Sequence, residues 1–129
     1  MTNEMWEKSQ AQFKKFEASR VENNMSIKTK VYETQAAAFE VKDTCIDTLF
    51  MGLSSEVGEL LSERLEEKRT DRDDINRTEE SLTELSDILW YVARISDRLG
   101  SNLEELMRRN LIKLEDRALN GKKSYKNKG

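Results

Sequence analysis

IDTLFMGLSSEVGELLSERL (residues 46–65) decides how this chain folds. Its apolar residues fall at Ile46, Leu49, Phe50, Leu53, Val57, Leu60 and Leu61. Spacings of three and four are the period of an amphipathic helix, and strict alternation, the mark of a half-buried strand, is missing. The spacing predicts a helix over 43–69. Downstream, ELSDILWYVARISDRLG (residues 84–100) repeats the pattern through Leu85, Ile88, Leu89, Val92 and Ile95, predicting a helix over 76–99. Gly100 suits the C′ position that ends it. A further helix is expected over 102–120, opened by a capping box between Ser101 and Glu104 and ended by Gly121. Upstream, helices are expected over 3–22 and 28–41, broken at Asn23 and Asn24.

Composition agrees. The chain has no proline and only five glycines, too few turn formers for a strand-rich domain. Its 129 residues suit one domain. The expected class is all-α, a four- to five-helix bundle. Hydrophobic and charged residues each make up 36%. Such a chain either solvates its outer faces heavily or completes its core against a copy of itself; the width of the apolar stripes favours the copy. The organisation read from the sequence is an N-terminal helical extension (1–27), a helical core (28–121) and a basic flexible tail (122–129) holding Lys122, Lys123, Lys126 and Lys128.

Several functions are disfavoured. A net charge of −3 with interspersed signs argues against a general nucleic-acid binder. No apolar run approaches ~18 residues, so no membrane span is expected, and MTNEMWEKSQ lacks a signal-peptide core. Cys45 stands alone, which fits a reducing cytoplasm. The chain has no histidine. That removes histidine bases and ligands together, and with them the Glu-x-x-His pairs of di-iron bundles.

Acids remain. Glu56 and Glu59 form one acid-x-x-acid pair, and Glu84 and Asp87 another. Residues three apart lie about one turn apart on one side of a helix. Glu56, Glu59 and Glu63 lie along one shoulder of the first apolar stripe. Glu84, Asp87, Tyr91, Arg94 and Arg98 lie beside the second. If the two helices pack antiparallel, these shoulders face each other. From spacing alone, two readings stand: solvated faces with ion pairs to Lys and Arg, or a carboxylate cluster neutralised by Mg²⁺ or Mn²⁺, which favour oxygen ligands. Gly58, inside the first pair, costs about 1 kcal/mol relative to alanine unless something approaches closely there.

The blocks GLSSEVGELLSE (52–63), ELSDILWYVARISDRLG (84–100) and LEELMRRNLIKLEDR (103–117), in this order, resemble the MazG-like all-α nucleotide pyrophosphohydrolases. That superfamily includes dimeric dUTPases, dCTP-type pyrophosphatases and phosphoribosyl-ATP pyrophosphohydrolases. Its signature is E-x-x-E, a variable gap, then E-x-x-D, and the resemblance covers about residues 30–120. It implies that Glu56, Glu59, Glu84 and Asp87 bind Mg²⁺ and act on the nucleophilic water. It implies a nucleoside triphosphate substrate cleaved to monophosphate and pyrophosphate. It places Tyr91 near the substrate and makes Asn110 and Lys113 a phosphate- or sugar-binding element. Arg94 and Arg98 either reach phosphate or pair with the acid stripe. A homodimer or dimer of dimers is expected. The competing function is a non-catalytic helical oligomerisation or interaction protein whose acids are solvated.

Overall fold

The computed structural model describes residues 25–70 and 75–128 together with Glu4 and Glu7. Side chains are described for 25–66 and 77–121. Glu4 and Glu7 are helical; the rest of the helix expected over 3–22 lies outside the described residues. Four helices follow: α1 (Thr29–Ala37), α2 (Ile46–Thr70), α3 (Ile75–Arg98) and α4 (Leu103–Lys128). Among the described residues there is no strand, and the class is all-α. No described helix is long and apolar enough to cross a membrane.

The centre of the fold is the α2–α3 hairpin. Its direction follows from three contacts. Tyr91 lies over Gly52, Glu84 meets Glu56, and Arg77 donates to the Glu63 carbonyl at 3.3 Å. Residue numbers rise on one helix as they fall on the other, so the two run antiparallel. Gly52 makes the approach close, because a Cβ there would fall inside the Tyr91 ring. Gly58, expected from the sequence to serve this purpose, does not: nothing lies within 4 Å of where its Cβ would stand.

α1 packs on α3 and α4. The Trp90 indole N–H donates to the Ala36 carbonyl at 3.0 Å, and Arg94 pairs with Glu40 at 3.2 Å. These contacts explain why α1 ends at Ala37 and not at 41. Ala38, Phe39 and Glu40 each donate to the carbonyl three residues back, the tight bonding of a closing helix end. The chain then turns through Asp43, whose φ is 66°. Arg98 holds this turn by donating to the Thr44 carbonyl.

The α3–α4 junction is a Schellman motif. Gly100 has φ 79°; its N–H donates to the Asp97 carbonyl, and that of Ser101 to the Ser96 carbonyl. The cap of α4 is Asn102, whose Oδ1 accepts the Glu105 N–H at 2.8 Å, not the Ser101–Glu104 box read from the sequence. A second cap comes from another helix: Glu33 accepts the N–H of Leu103. α4 also runs through Gly121 to Lys128, so the segment read as a flexible tail continues the helix. An interior glycine costs only about 1 kcal/mol, and no proline follows to stop the helix.

Among the described residues the apolar core is small. Ala36, Leu49, Ala93, Ile95 and Leu103 are buried, while Leu61, Leu82, Leu111 and Leu119 stay more than half exposed.

Candidate carboxylate site

α2 and α3 place the acids by register. Glu56 and Glu84 meet in the helix–helix seam, and Asp87 stands one turn beyond Glu84. Glu56, Glu84 and Asp87 each offer a carboxylate oxygen, and these atoms lie within 4.8 Å of one another. Glu59 is exposed and lies outside that set, but reaches Glu84 in a side-chain hydrogen bond. The structure thus brings Glu56, Glu59, Glu84 and Asp87 together, three as a tight group and Glu59 at its edge.

Their electrostatics are those of a crowded site. Glu84 is raised above the ordinary carboxylate value of 4.5. The main cause is Glu56, close enough to share a proton with it; lost hydration and the charges of Glu56 and Asp87 add to the rise, while Glu59 opposes it. Glu63, one turn past Glu59, is also raised, first by lost hydration, then by Glu84, Glu80 and Glu59, with Arg77 acting against them.

Oε2 of Glu56, Glu63 and Glu84 are each closed off from solvent and receive no hydrogen bond. An ionised carboxylate only accepts, so two facing each other need a proton, a cation or a donor such as water between them. Buried oxygens without donors are uncommon in folded proteins. The donor set is all oxygen, which suits Mg²⁺ or Mn²⁺, and Glu56, Glu84 and Asp87 are the residues able to hold such an ion.

The other residues singled out from the sequence are distributed unequally. Tyr91, one turn beyond Asp87 on α3, lies on Gly52 and meets Trp90 edge-on, with ring centroids 5.0 Å apart. Arg94 turns from the cluster: its buried guanidinium pairs with Glu40 at 3.2 Å and Asp97 at 3.1 Å. Arg98 lies 3.6 Å from the same Glu40 oxygen. Asn110 and Lys113 are exposed on α4, which packs on α1 and α3 but, among the described residues, not on α2.

Two residues were missed. Gly52 carried a signal, being a second glycine inside the α2 pattern. Tyr32 of α1 carried none: it is half-buried, and its phenol is raised above 10.0 by burial and then by the Asp87 carboxylate. It reaches the cluster because α1 and α3 rise together, Ala36 at Trp90 and Glu40 at Arg94, so that one turn earlier Tyr32 comes to Asp87.

Compared with protein families, with curated proteins and with solved structures, the chain shows no match. The functional reading therefore rests on the site.

Proposed function

We propose that this protein hydrolyses a nucleoside triphosphate to the monophosphate and pyrophosphate, with Mg²⁺ or Mn²⁺ at Glu56, Glu84 and Asp87. The observation that carries the reading is the pair of solvent-closed oxygens on Glu56 and Glu84 that no donor reaches. The order of the acid pairs, which resembles the MazG-like signature, names the chemistry. When bound, the ion supplies charge neutralisation for the phosphates and a more acidic water. Glu59, at the edge of the group, is the carboxylate placed to accept a proton from the attacking water. Glu56 and Glu84 hold the acid group together across the seam, and Tyr91 closes its end beside Asp87. The reading carries with it a homo-oligomer, a dimer or dimer of dimers, working in the cytoplasm on nucleotide pools.

The test is a panel of NTPs and dNTPs with Mg²⁺ and product identification. Monophosphate and pyrophosphate are expected, and EDTA should abolish their formation. Glu59→Gln and Asp87→Asn should each lower the rate at least ~10²-fold, the scale of lost acid–base or electrostatic stabilisation. Glu66→Gln, two turns past Glu59, should not. Diphosphate and orthophosphate as primary products, or full activity in EDTA, would exclude this reaction.

A further inference from the structure

α1 and α2 both pack on α3 and, among the described residues, not on each other. Each follows a different line along α3: α1 meets Trp90 and Arg94, and α2 meets Glu84 and Tyr91. At about 100° per residue, the order around α3 is Trp90, Arg94, Asp87, Tyr91, Glu84. Asp87 therefore stands between the two lines, on the floor of a groove walled by α1 and α2. With packed helices about 9 Å apart, two neighbours set about 90° apart around α3 lie about 13 Å from each other. That is too far to pack, and Asp87 on the floor stays exposed. The α2 wall carries Glu56 and, turned further into the groove, Glu59. The α1 wall carries Tyr32, one turn before the Ala36–Trp90 contact. Its phenol is half-buried, stands in the field of the Asp87 carboxylate and has no hydrogen-bond partner among the described residues. Phenols taken out of water usually have one.

The groove leaves a donor role open. Ionised Glu56, Glu59, Glu84 and Asp87 only accept, and phosphate oxygens are acceptors too. A cation joins the two sets, but the phosphate oxygens it does not hold need donors. The guanidiniums along this side of α3 are engaged, Arg94 by Glu40 and Asp97 and Arg98 by Glu40 and the Thr44 carbonyl. A phenol is protonated at neutral pH and donates. We propose that Tyr32 is a further substrate-contacting residue of this site, its hydroxyl donating to a non-bridging phosphate oxygen across the groove from the acids. Fixed donors of this kind, tyrosine included, stabilise charge that grows on oxygen as the phosphoanhydride breaks. The inference rests on the reading of a triphosphate as substrate. It gives α1 a part in the site, which the acid pairs of α2 and α3 do not contain. Every nucleoside triphosphate carries these oxygens, so Tyr32 serves the substrate whatever its base.

Tyr32→Phe keeps the ring and removes the hydroxyl. Inorganic tripolyphosphate, titrated calorimetrically with Mn²⁺ present, should bind this variant at least ~10-fold more weakly than the wild type, the scale of one hydrogen bond to a charged group. Mn²⁺ alone, followed by electron paramagnetic resonance, should bind the two proteins equally. For whichever NTP or dNTP the wild type cleaves, kcat/KM should fall ~10- to 100-fold. Thr34→Val removes a hydroxyl that donates to the Lys30 carbonyl on the exposed side of α1, and should change none of these. Equal tripolyphosphate affinity in the wild type and Tyr32→Phe would overturn the proposal. So would a ~10-fold loss of affinity for Mn²⁺ alone, which would assign the hydroxyl to Asp87 and not to phosphate. Failure here is separate from failure of the hydrolytic reading. A wild type that releases pyrophosphate while Tyr32→Phe keeps full kcat/KM refutes the role of Tyr32 alone. A wild type that binds tripolyphosphate through Tyr32 but cleaves no triphosphate refutes the hydrolysis alone.

Discussion

Replacing Gly52 with alanine should weaken the fold, although the same change strengthens most helices. The Tyr91 ring occupies the space a Cβ would need, and Trp90 packs edge-on against that ring. Forcing a methyl group into a filled site typically costs about 1–3 kcal/mol. Against this stands the helix-propensity gain from glycine to alanine, about 1 kcal/mol. The net expectation is a loss of about 1 kcal/mol, or ~4 °C in melting midpoint for a chain of this size. The decisive arm is the same substitution in a Tyr91→Ala background, where the obstruction is gone. There Gly52→Ala should stabilise by about 1 kcal/mol, so the coupling between the sites is about 2 kcal/mol. Urea titrations of the four proteins by circular dichroism, at one concentration and in EDTA, measure both signs. An equal effect of Gly52→Ala in the two backgrounds would refute the claim that Gly52 exists to seat Tyr91.

Arg94→Met should destabilise by about 3 kcal/mol, because it leaves Glu40 in the packed turn without its main partner; denaturant titration measures this, and a loss below about 1 kcal/mol would show that the pair does not hold the α1–α2 turn. Asn102→Ala should lose about 1 kcal/mol as a lost helix cap, whereas Ser101→Ala, at a position that caps nothing, should be close to neutral in the same assay. The pH dependence has a definite sign: Glu84 is raised above 4.5 in the folded state, so its contribution is fully present below 4.5 and is lost as pH rises through the folded value. Melting of the metal-free protein should therefore show a component that falls as pH rises above 4.5 and through the raised folded-state value, absent in Glu84→Gln and offset by Mg²⁺ in the wild type; identical pH profiles for the two proteins would contradict proton sharing with Glu56.

Much of this molecule is written in local periodicity. The three-and-four spacing of Ile46–Leu61 and Leu82–Ile95 determines two helices whatever surrounds them, because a helix repeats every 3.6 residues regardless of its partner. The acid pairs follow from the same rule, since i and i+3 share a side, and Gly100 ends α3 because only its own backbone need turn left-handed there. What the sequence alone could not decide is which residue of one helix meets which residue of another. That depends on axial register and on the side from which a third element approaches, and no single-helix pattern encodes either. Hence Gly52 and not Gly58 seats the facing ring, and Arg94 spends its charge on Glu40, a residue 54 positions away. Hence also Tyr32 stands by Asp87, and α4 begins under Glu33 and Asn102. The acids themselves show the division: spacing placed four carboxylates on two shoulders, but only antiparallel packing closed two of their oxygens off from water with no donor between them. Desolvation, the physical reason such oxygens call for a proton or a cation, arises only once the two helices have met.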